Sequence, residues 1–479
     1  MAPPTRFLGG LITTASVVAG AWLPESICDR IIIKDVAIIG GGASGSYAAV
    51  RLKEDFNKSI ILIEKQGRIG GHVSTFDDPE TSKPFDFGVN SFTDYGPAQA
   101  FFNRLGIPFS VPPRVALSTE YADFTTGLPV PGYTPPSNAD RTAALVKFLN
   151  VTAPFENFIL PGYWNFPSPS QIPEDLLLPF HEFVAKYNLT AAVPMVFQVT
   201  GMGVGDFQNS LTMHVLSAFG QPMLRAFLGQ GVNFTPDSRR NIQLYEAIQS
   251  RLNSDILLNS VVVQSIRTTL GHTLWVKSST TNTYTLVIAR KLLISIPPIA
   301  SNLAPFAIDS TEQSVFSKFR FPIVHCGIVT HPSLPVGGSI TNTPASSAPD
   351  NYMSLPSLNF NSRYDWMGEN STNWRVLLVG RNTTFGTAEA QATVKADFAR
   401  LRANGVVAAG GGELQIKAWA NHGPMHAYVD VEEVRDGFYQ KLYGLQGRRG
   451  TWWTGGAWSH QFQSVLWAFD DVLLPKIVA

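Results

Sequence analysis

Cysteine is almost absent from this chain: Cys28 and Cys326 are the only two in 479 residues. They could pair in an oxidising lumen, but two cysteines make no disulfide framework. With no CxxC and no Cys/His cluster at zinc spacing, no metal site is expected. Charge is also scarce. Charged residues make up 15% of the sequence and the formal net charge is +0. That leaves no basic surplus to neutralise phosphates, so a nucleic-acid partner is not expected. No Gly-x-Ser-x-Gly elbow follows a plausible strand, which removes the usual acyl-transfer nucleophile. His422 and His426 stand at i, i+4, but Gly423 and Pro424 lie between them, which reads as a loop rather than a zinc-binding helix. The paired acids Asp470-Asp471 and Glu432-Glu433 read as solvated helix faces. No apolar run suits a stable membrane span.

What the chain does hold is apolar residues, 44% of the total, enough for well-buried cores and against disorder. Its length suggests two domains. At the N-terminus Arg6 precedes a mildly apolar run, Phe7 to Leu23, and Ala19-Gly20-Ala21 offers a small-x-small cleavage site. Residues 1–21 resemble a secretory signal peptide. Six Asn-x-Ser/Thr triplets, at Asn57, Asn150, Asn188, Asn233, Asn370 and Asn382, suit a secreted or lumenal glycoprotein.

The informative stretch runs from Lys34 to Asn90. A β-branched run, Val36 to Ile39, meets Gly40-x-Gly42-x-x-Gly45, which opens an amphipathic segment. A second such run, Ile60 to Ile63, ends on Glu64. This is the layout of a dinucleotide-binding βαβ unit. The glycines allow a tight turn and close approach to pyrophosphate, and Ala43 and Ser44 lie inside the fingerprint at the helix N-terminus. An acid about 20 residues on accepts ribose hydroxyls. The fingerprint alone is weak; strand, helix and acid in order make dinucleotide binding the reading.

Further on, the Pro-rich stretch from Gly106 to Ser170 should form loops and short elements. Helical spacing marks Pro173 to Tyr187, Ser210 to Leu228, Arg240 to Leu252, Thr387 to Leu401 and Ser464 to Val478. Strands are expected at Asp255 to Ile266, Leu286 to Ile296, Val324 to Thr330 and Trp374 to Val379. The alternation implies an α/β protein: a discontinuous, Rossmann-like nucleotide domain with a parallel sheet (30–110, 230–300 and 415–479), interleaved with a mixed α+β substrate domain (111–229 and 301–414).

After Glu64 come Arg68-Ile69-Gly70-Gly71 and then Asp86-Phe87-Gly88. With IIGGGASGSYAAVRL, GRIGGHVSTF and QGRRGTWWTGGAW, these motifs resemble the flavin-containing amine oxidoreductase superfamily, and within it the fungal β-cyclopiazonate dehydrogenase family. The resemblance implies FAD. Gly40, Gly42 and Gly45 would hold its pyrophosphate, Glu64 its ribose, and Val263 its adenine. Arg68, Gly70, Gly71 and His72 would run along the flavin side, with Gly456 and Val465, at the late glycines and the last helix, facing the ring. His325 aligns with the family lysine at flavin N5, which makes it a candidate proton carrier. Of Trp452, Trp453 and Trp458, Trp453 is the candidate pocket wall.

The departures lie where charge is normally found: His72 replaces an Arg, Gln66 another, and Ala457 an acid. His72 is open to covalent attachment at the flavin 8α methyl or to an ordinary polar contact. The resemblance implies an enzyme that takes hydride from a bulky apolar secondary metabolite, by dehydrogenation or oxidative cyclisation, with molecular oxygen or another acceptor reoxidising FAD. A redox-neutral double-bond isomerase and a catalytically decayed flavin binder are the alternatives. Sequencing the N-terminus of the secreted protein should give Trp22 first; a mature chain that retains Arg6 would contradict the signal segment.

Overall fold

The computed structural model describes Pro24 and residues 27–479 apart from 114, 202–205 and 358. The signal segment 1–21 lies outside the described residues. β-branched runs that are buried on both faces build a parallel core. Strand Arg30–Ile39 pairs in parallel with Ile60–Ile63 on one side and Tyr284–Ile294 on the other. Ile256–Leu257 extends the first edge, and Thr451–Trp453 adds in parallel to the end of Tyr284–Ile294. The register aligns Ile39 with Ile63 and Ile294, and Ile294 with Trp453. Four strands therefore end together, and the carboxyl edge of such a sheet is where an open α/β fold binds its ligand. An antiparallel pair, Ser260–Arg267 and His272–Ser278, completes the sheet.

Two helices lock over this edge. Ala43–Glu54 begins directly after the glycine cluster, and Gln463–Val478 packs beside it. Trp467 Nε1 donates to the Ala43 carbonyl at 3.2 Å, the Tyr47 and Trp467 rings stack at 5.7 Å, and the Tyr47 hydroxyl donates to Asp471 at 2.7 Å. The C-terminal helix thus holds the start of the fingerprint helix in place. Asp470 does not sit on a solvated face as expected. It is fully buried, accepts from Thr454 Oγ1 at 2.5 Å, and burial raises its pKa well above the usual carboxylate range.

The second sheet runs Gln415–Pro424, Ile323–Thr330, Trp374–Gly380, Phe360–Trp366, Gly338–Asn342, Ser118–Asp123 and Leu128–Pro129. Among the described residues only Gly338–Asn342 and Ser118–Asp123 pair in parallel in this sheet. Helix Thr387–Ala403 covers one face, where Val394, Phe398 and Leu401 meet Tyr364, Val376 and Leu378. The other face turns towards the nucleotide domain. The expected segmentation put residue 415 with the nucleotide domain, whereas Gln415–Pro424 hydrogen-bonds along Ile323–Thr330.

The Pro-rich segment differs from expectation too. A 15-residue helix, Asn138–Thr152, occupies its proline-free middle, with Ser137 Oγ accepting from the Asp140 N–H as its N-cap. The two expected helices after it each split in two. Pro179 separates Glu174–Leu177 from Phe180–Tyr187, and Phe219-Gly220 separates Thr212–Ala218 from Gln221–Phe227. No helix among the described residues is long and apolar enough to cross a membrane.

A buried ion pair ties the antiparallel strands to the helix Ser310–Phe316. Arg267 and Glu312 pair with both side chains fully buried, and Arg267 also donates to the Phe306 carbonyl at 2.8 Å and to Thr451 Oγ1 at 3.0 Å. Glu312→Ala would strand the guanidinium, and chemical denaturation should show a loss of about 3–5 kcal/mol. A loss under about 1 kcal/mol would place the weight of this junction elsewhere.

Candidate active site

The crevice begins at Gly40, whose φ of +98° suits glycine. Its N–H donates to the Ile63 carbonyl at 2.9 Å. The Gly41 N–H donates to Glu64 Oε2 at 2.6 Å, and the Gln66 N–H to Glu64 Oε1 at 2.8 Å. Gly70 closes the same loop, its N–H on the Gly41 carbonyl at 2.7 Å. The Glu64 carboxylate is therefore a structural clasp, with lone pairs left over for a ligand's hydroxyls. At Gly45 a Cβ would lie 1.9 Å from the Gly40 carbonyl oxygen, so only glycine lets the helix start this close to the strand. At Gly42 the opposite holds: a Cβ would find only the Gly71 Cα, at 3.9 Å, and project towards open space.

That space is a cavity of about 1400 Å³, above the roughly 300–1,000 Å³ of common small-ligand pockets. Glu64, Lys65, Val261 and Val262 line one end; Gly42, Ala43, Ser44, Gly70, Gly71 and His72 line the middle, with Gly455, Gly456 and Gln463. The far end belongs to the second sheet. There, side chains alternate between faces: Val324, Cys326, Leu377, Ala420, His422 and Arg363 line the cavity, joined by Met223 and Phe227 from the helical insertion.

Two histidines meet where the middle of the cavity joins the far end. The His72 and His422 rings lie 5.0 Å apart, and Gly88 allows this, since a Cβ there would be 2.2 Å from the His72 carbonyl and 3.2 Å from His422 Cε1. His426 follows, with a φ of +48°. Burial pushes His72 down to about 4, His426 to about 3, and His422 well below its usual value. All three imidazoles are neutral at pH 7. His422 Nε2 is buried with no hydrogen-bond partner.

A family model described as an NAD(P)-binding Rossmann-like domain matches residues 38–105. The FAD-dependent oxidoreductase pigF of Monascus ruber is 33% identical over 94% of this chain and 93% of its own. The beta-cyclopiazonate dehydrogenase of Aspergillus oryzae is 32% identical over 99% of this chain and 98% of its own. The chain belongs to this family of FAD-dependent oxidoreductases. Solved structures share the fold: a CLA-producing fatty acid isomerase from P. acnes (TM-score 0.71, 18% identity, 92% of this chain and 98% of that one) and a putrescine oxidase (TM-score 0.61, 15% identity, 94% and 100%).

The oxidoreductase has a crevice that fits FAD on its own terms: a bare Gly42 opposite Gly71, and Ser44 Oγ and Gln463 Oε1 buried without partners at its wall. Gly40, Gly42, Ala43, Ser44, Glu64, Arg68, Gly70, Gly71, His72 and Gly456 all line the cavity. Gly45 and Val465 sit just behind, Gly45 packed on the strand and Val465 in the core beside Leu466, which does line it. Val263 falls in a β-bulge between Val262 and Gln264, and Val261 and Val262 reach the cavity instead.

The two catalytic candidates are not brought to the cavity. His325 faces away because its strand neighbours Val324 and Cys326 face in. Both its nitrogens are engaged, Nε2 with the Phe385 carbonyl at 2.9 Å and Nδ1 with Trp419 Nε1 at 3.4 Å. Trp453 is fully buried under Arg267, stacked on Trp458 at 5.9 Å. Cys326 is a free, buried thiol, and burial pushes it up to about 12. A residue that the sequence does not single out is His422, which lies on strand Gln415–Pro424 and not in a loop; that strand ends on Asn421, His422, Gly423 and Pro424, all of which line the cavity, so it carries no apolar alternation to mark it.

Because the protein itself leaves room at Gly42, Gly42→Trp should fold and purify colourless. Stoichiometric FAD in the folded variant, measured by absorbance after denaturation, would remove the fingerprint from cofactor binding.

Proposed function

We propose that this oxidoreductase dehydrogenates a bulky, largely apolar small molecule. The observation that carries the reading is the far wall of the cavity: the second sheet and the helical insertion line it with Val324, Leu377, Met223 and Phe227, and with no carboxylate among the described residues. The lining acids, Glu64 and Glu246, stand at the other end. A cationic amine would find no counter-charge in the far wall, where desolvating it would cost several kcal/mol.

FAD, when bound, supplies the hydride acceptor, and molecular oxygen or another acceptor reoxidises it. The residues proposed to hold it are Gly40, Gly42, Ala43 and Ser44 at the pyrophosphate, Glu64 at the ribose, and Gly70, Gly71, His72 and Gly456 along the flavin side. The chain's own contribution to chemistry is positional. The apolar wall excludes water and orients the substrate, while His422 Nε2 accepts a hydrogen bond from a substrate O–H or N–H and holds that proton as C–H cleavage proceeds. The amino-terminal segment supports a secretory destination for the enzyme.

The test is anaerobic mixing of the FAD-loaded protein with fractionated apolar metabolites of the producing organism. A productive fraction should bleach the flavin, and His422→Ala should slow that bleaching by about 10²-fold or more, whereas His325→Ala should leave it within about twofold. Product without lasting bleaching would replace the dehydrogenase with a redox-neutral isomerase.

A further inference from the structure

Among the described residues, Arg363 is the one cation that the second sheet sends to the cavity wall; the other lining cations, Lys65, Arg68 and Arg240, come from the nucleotide domain. It is 8% exposed, on strand Phe360–Trp366. Burying a guanidinium is costly unless an anion meets it. The nearest anion is Asp365, whose Oδ2 lies 2.9 Å from Arg363 Nε as an ion pair without hydrogen-bond geometry. The same Oδ2 also serves Arg375 Nη2 at 3.4 Å, and Oδ1 accepts from Ser339 Oγ at 2.5 Å. Two guanidiniums thus share one carboxylate. Among the described residues nothing else ionised at neutral pH faces the group: Cys326 beside it is a protonated thiol, and Arg375 turns its other end to Asn90.

Arg363 spends little of its donor capacity on the protein. Among the described residues its one hydrogen bond runs from Nη2 to the Gln198 carbonyl, at 3.2 Å, and a guanidinium has five N–H donors. Gln198 belongs to a π-helical turn, Phe197–Gly201, and itself lines the cavity with Val199 and Thr200. A buried cluster with one positive charge in excess, a donor-rich planar fork and an open cavity in front of it is built to receive an oxyanion.

We propose that the substrate carries an anionic oxygen group, a carboxylate or an ionised β-dicarbonyl, that docks on Arg363 while its apolar body lies along Val324, Leu377 and Phe227. This rests on the reading of the cavity as the substrate site and adds to it: an apolar molecule with an acidic head. The head at Arg363 fixes which C–H of the body is presented for oxidation.

The experiment uses FAD-loaded protein of verified flavin content and reads the perturbation of the flavin spectrum on titration with decanoate, with a β-dicarbonyl carrying the same alkyl chain, and with decanol. At least one of the two anions should bind about 10- to 100-fold more tightly than decanol, the range of a hydrogen bond to a charged group; which one does so distinguishes carboxylate from enolate. Arg363→Met should bring the anions to the decanol value, and Arg363→Lys should keep part of the preference. Asp365→Asn, which removes the competing carboxylate, should tighten anion binding severalfold, a change that a merely structural arginine would not produce. Equal affinity for anions and decanol in wild type, or a preference that survives in Arg363→Met, overturns the acidic head while leaving the apolar site intact. If none of the three perturbs the flavin, the apolar substrate site falls with it.

Discussion

The hydrogen bond from the Gly41 N–H to the buried Glu64 carboxylate, at 2.6 Å, is the contact on which the rest of the nucleotide domain turns. A short bond from a backbone N–H to a carboxylate oxygen is a strong one, and this one joins the ends of the first two parallel strands. With it in place, Gly70 can reach the Gly41 carbonyl, His72 enters the cavity next to Gly71, and the helix Ala43–Glu54 leaves the strand at a fixed angle. The absence of a Cβ at Gly45 is the steric counterpart, because any larger residue would collide with the Gly40 carbonyl. The C-terminal helix then clamps the arrangement through Trp467 and Tyr47. Fold and cofactor crevice share the same few contacts.

The second constraint is the period-two alternation of the second sheet. One face meets helix Thr387–Ala403 and the other faces the cavity, so the central strands Ile323–Thr330, Trp374–Gly380 and Phe360–Trp366 divide their residues between core and site. Val324 and Cys326 go one way and His325 the other. Leu377 faces the cavity while Val376 and Leu378 pack beneath the helix, and Arg363 faces it while Tyr364 donates its hydroxyl to the Val394 carbonyl at 2.6 Å. The unbalanced guanidinium of Arg363 is what this alternation leaves beside Val324, Cys326 and Leu377.

These two constraints also separate what could be read from the chain from what could not. The cofactor crevice was legible because it is local: glycine spacing, the strand before it and the acid after it lie within about thirty residues, and each has a steric or electrostatic reason to be there. The far end of the cavity is assembled from positions near 90, 200, 325, 363 and 422, and no local pattern says which face of an edge strand looks inward. His325, which the family resemblance aligns with a lysine, lies one residue out of phase with the inward face, where Val324 and Cys326 stand. Val263, whose expected contact with adenine is through its backbone, falls in a bulge, with Val261 and Val262 lining the crevice beside it. Asp470 looked like half of a surface pair because burial of a helix that is apolar on several sides cannot be seen residue by residue. The helix Asn138–Thr152 was hidden by the prolines on either side of it.

The most direct measurement is an experimental structure of the protein purified with its flavin. The pyrophosphate should lie against Gly42, Ala43 and Ser44, the adenosine end beside Glu64 and Val262, and the isoalloxazine edge should face His422 with open cavity between it and Arg363. A flavin ring at the Glu64 and Lys65 end, or one that fills the space in front of Arg363, would contradict both the orientation of the cofactor and the site assigned to the substrate.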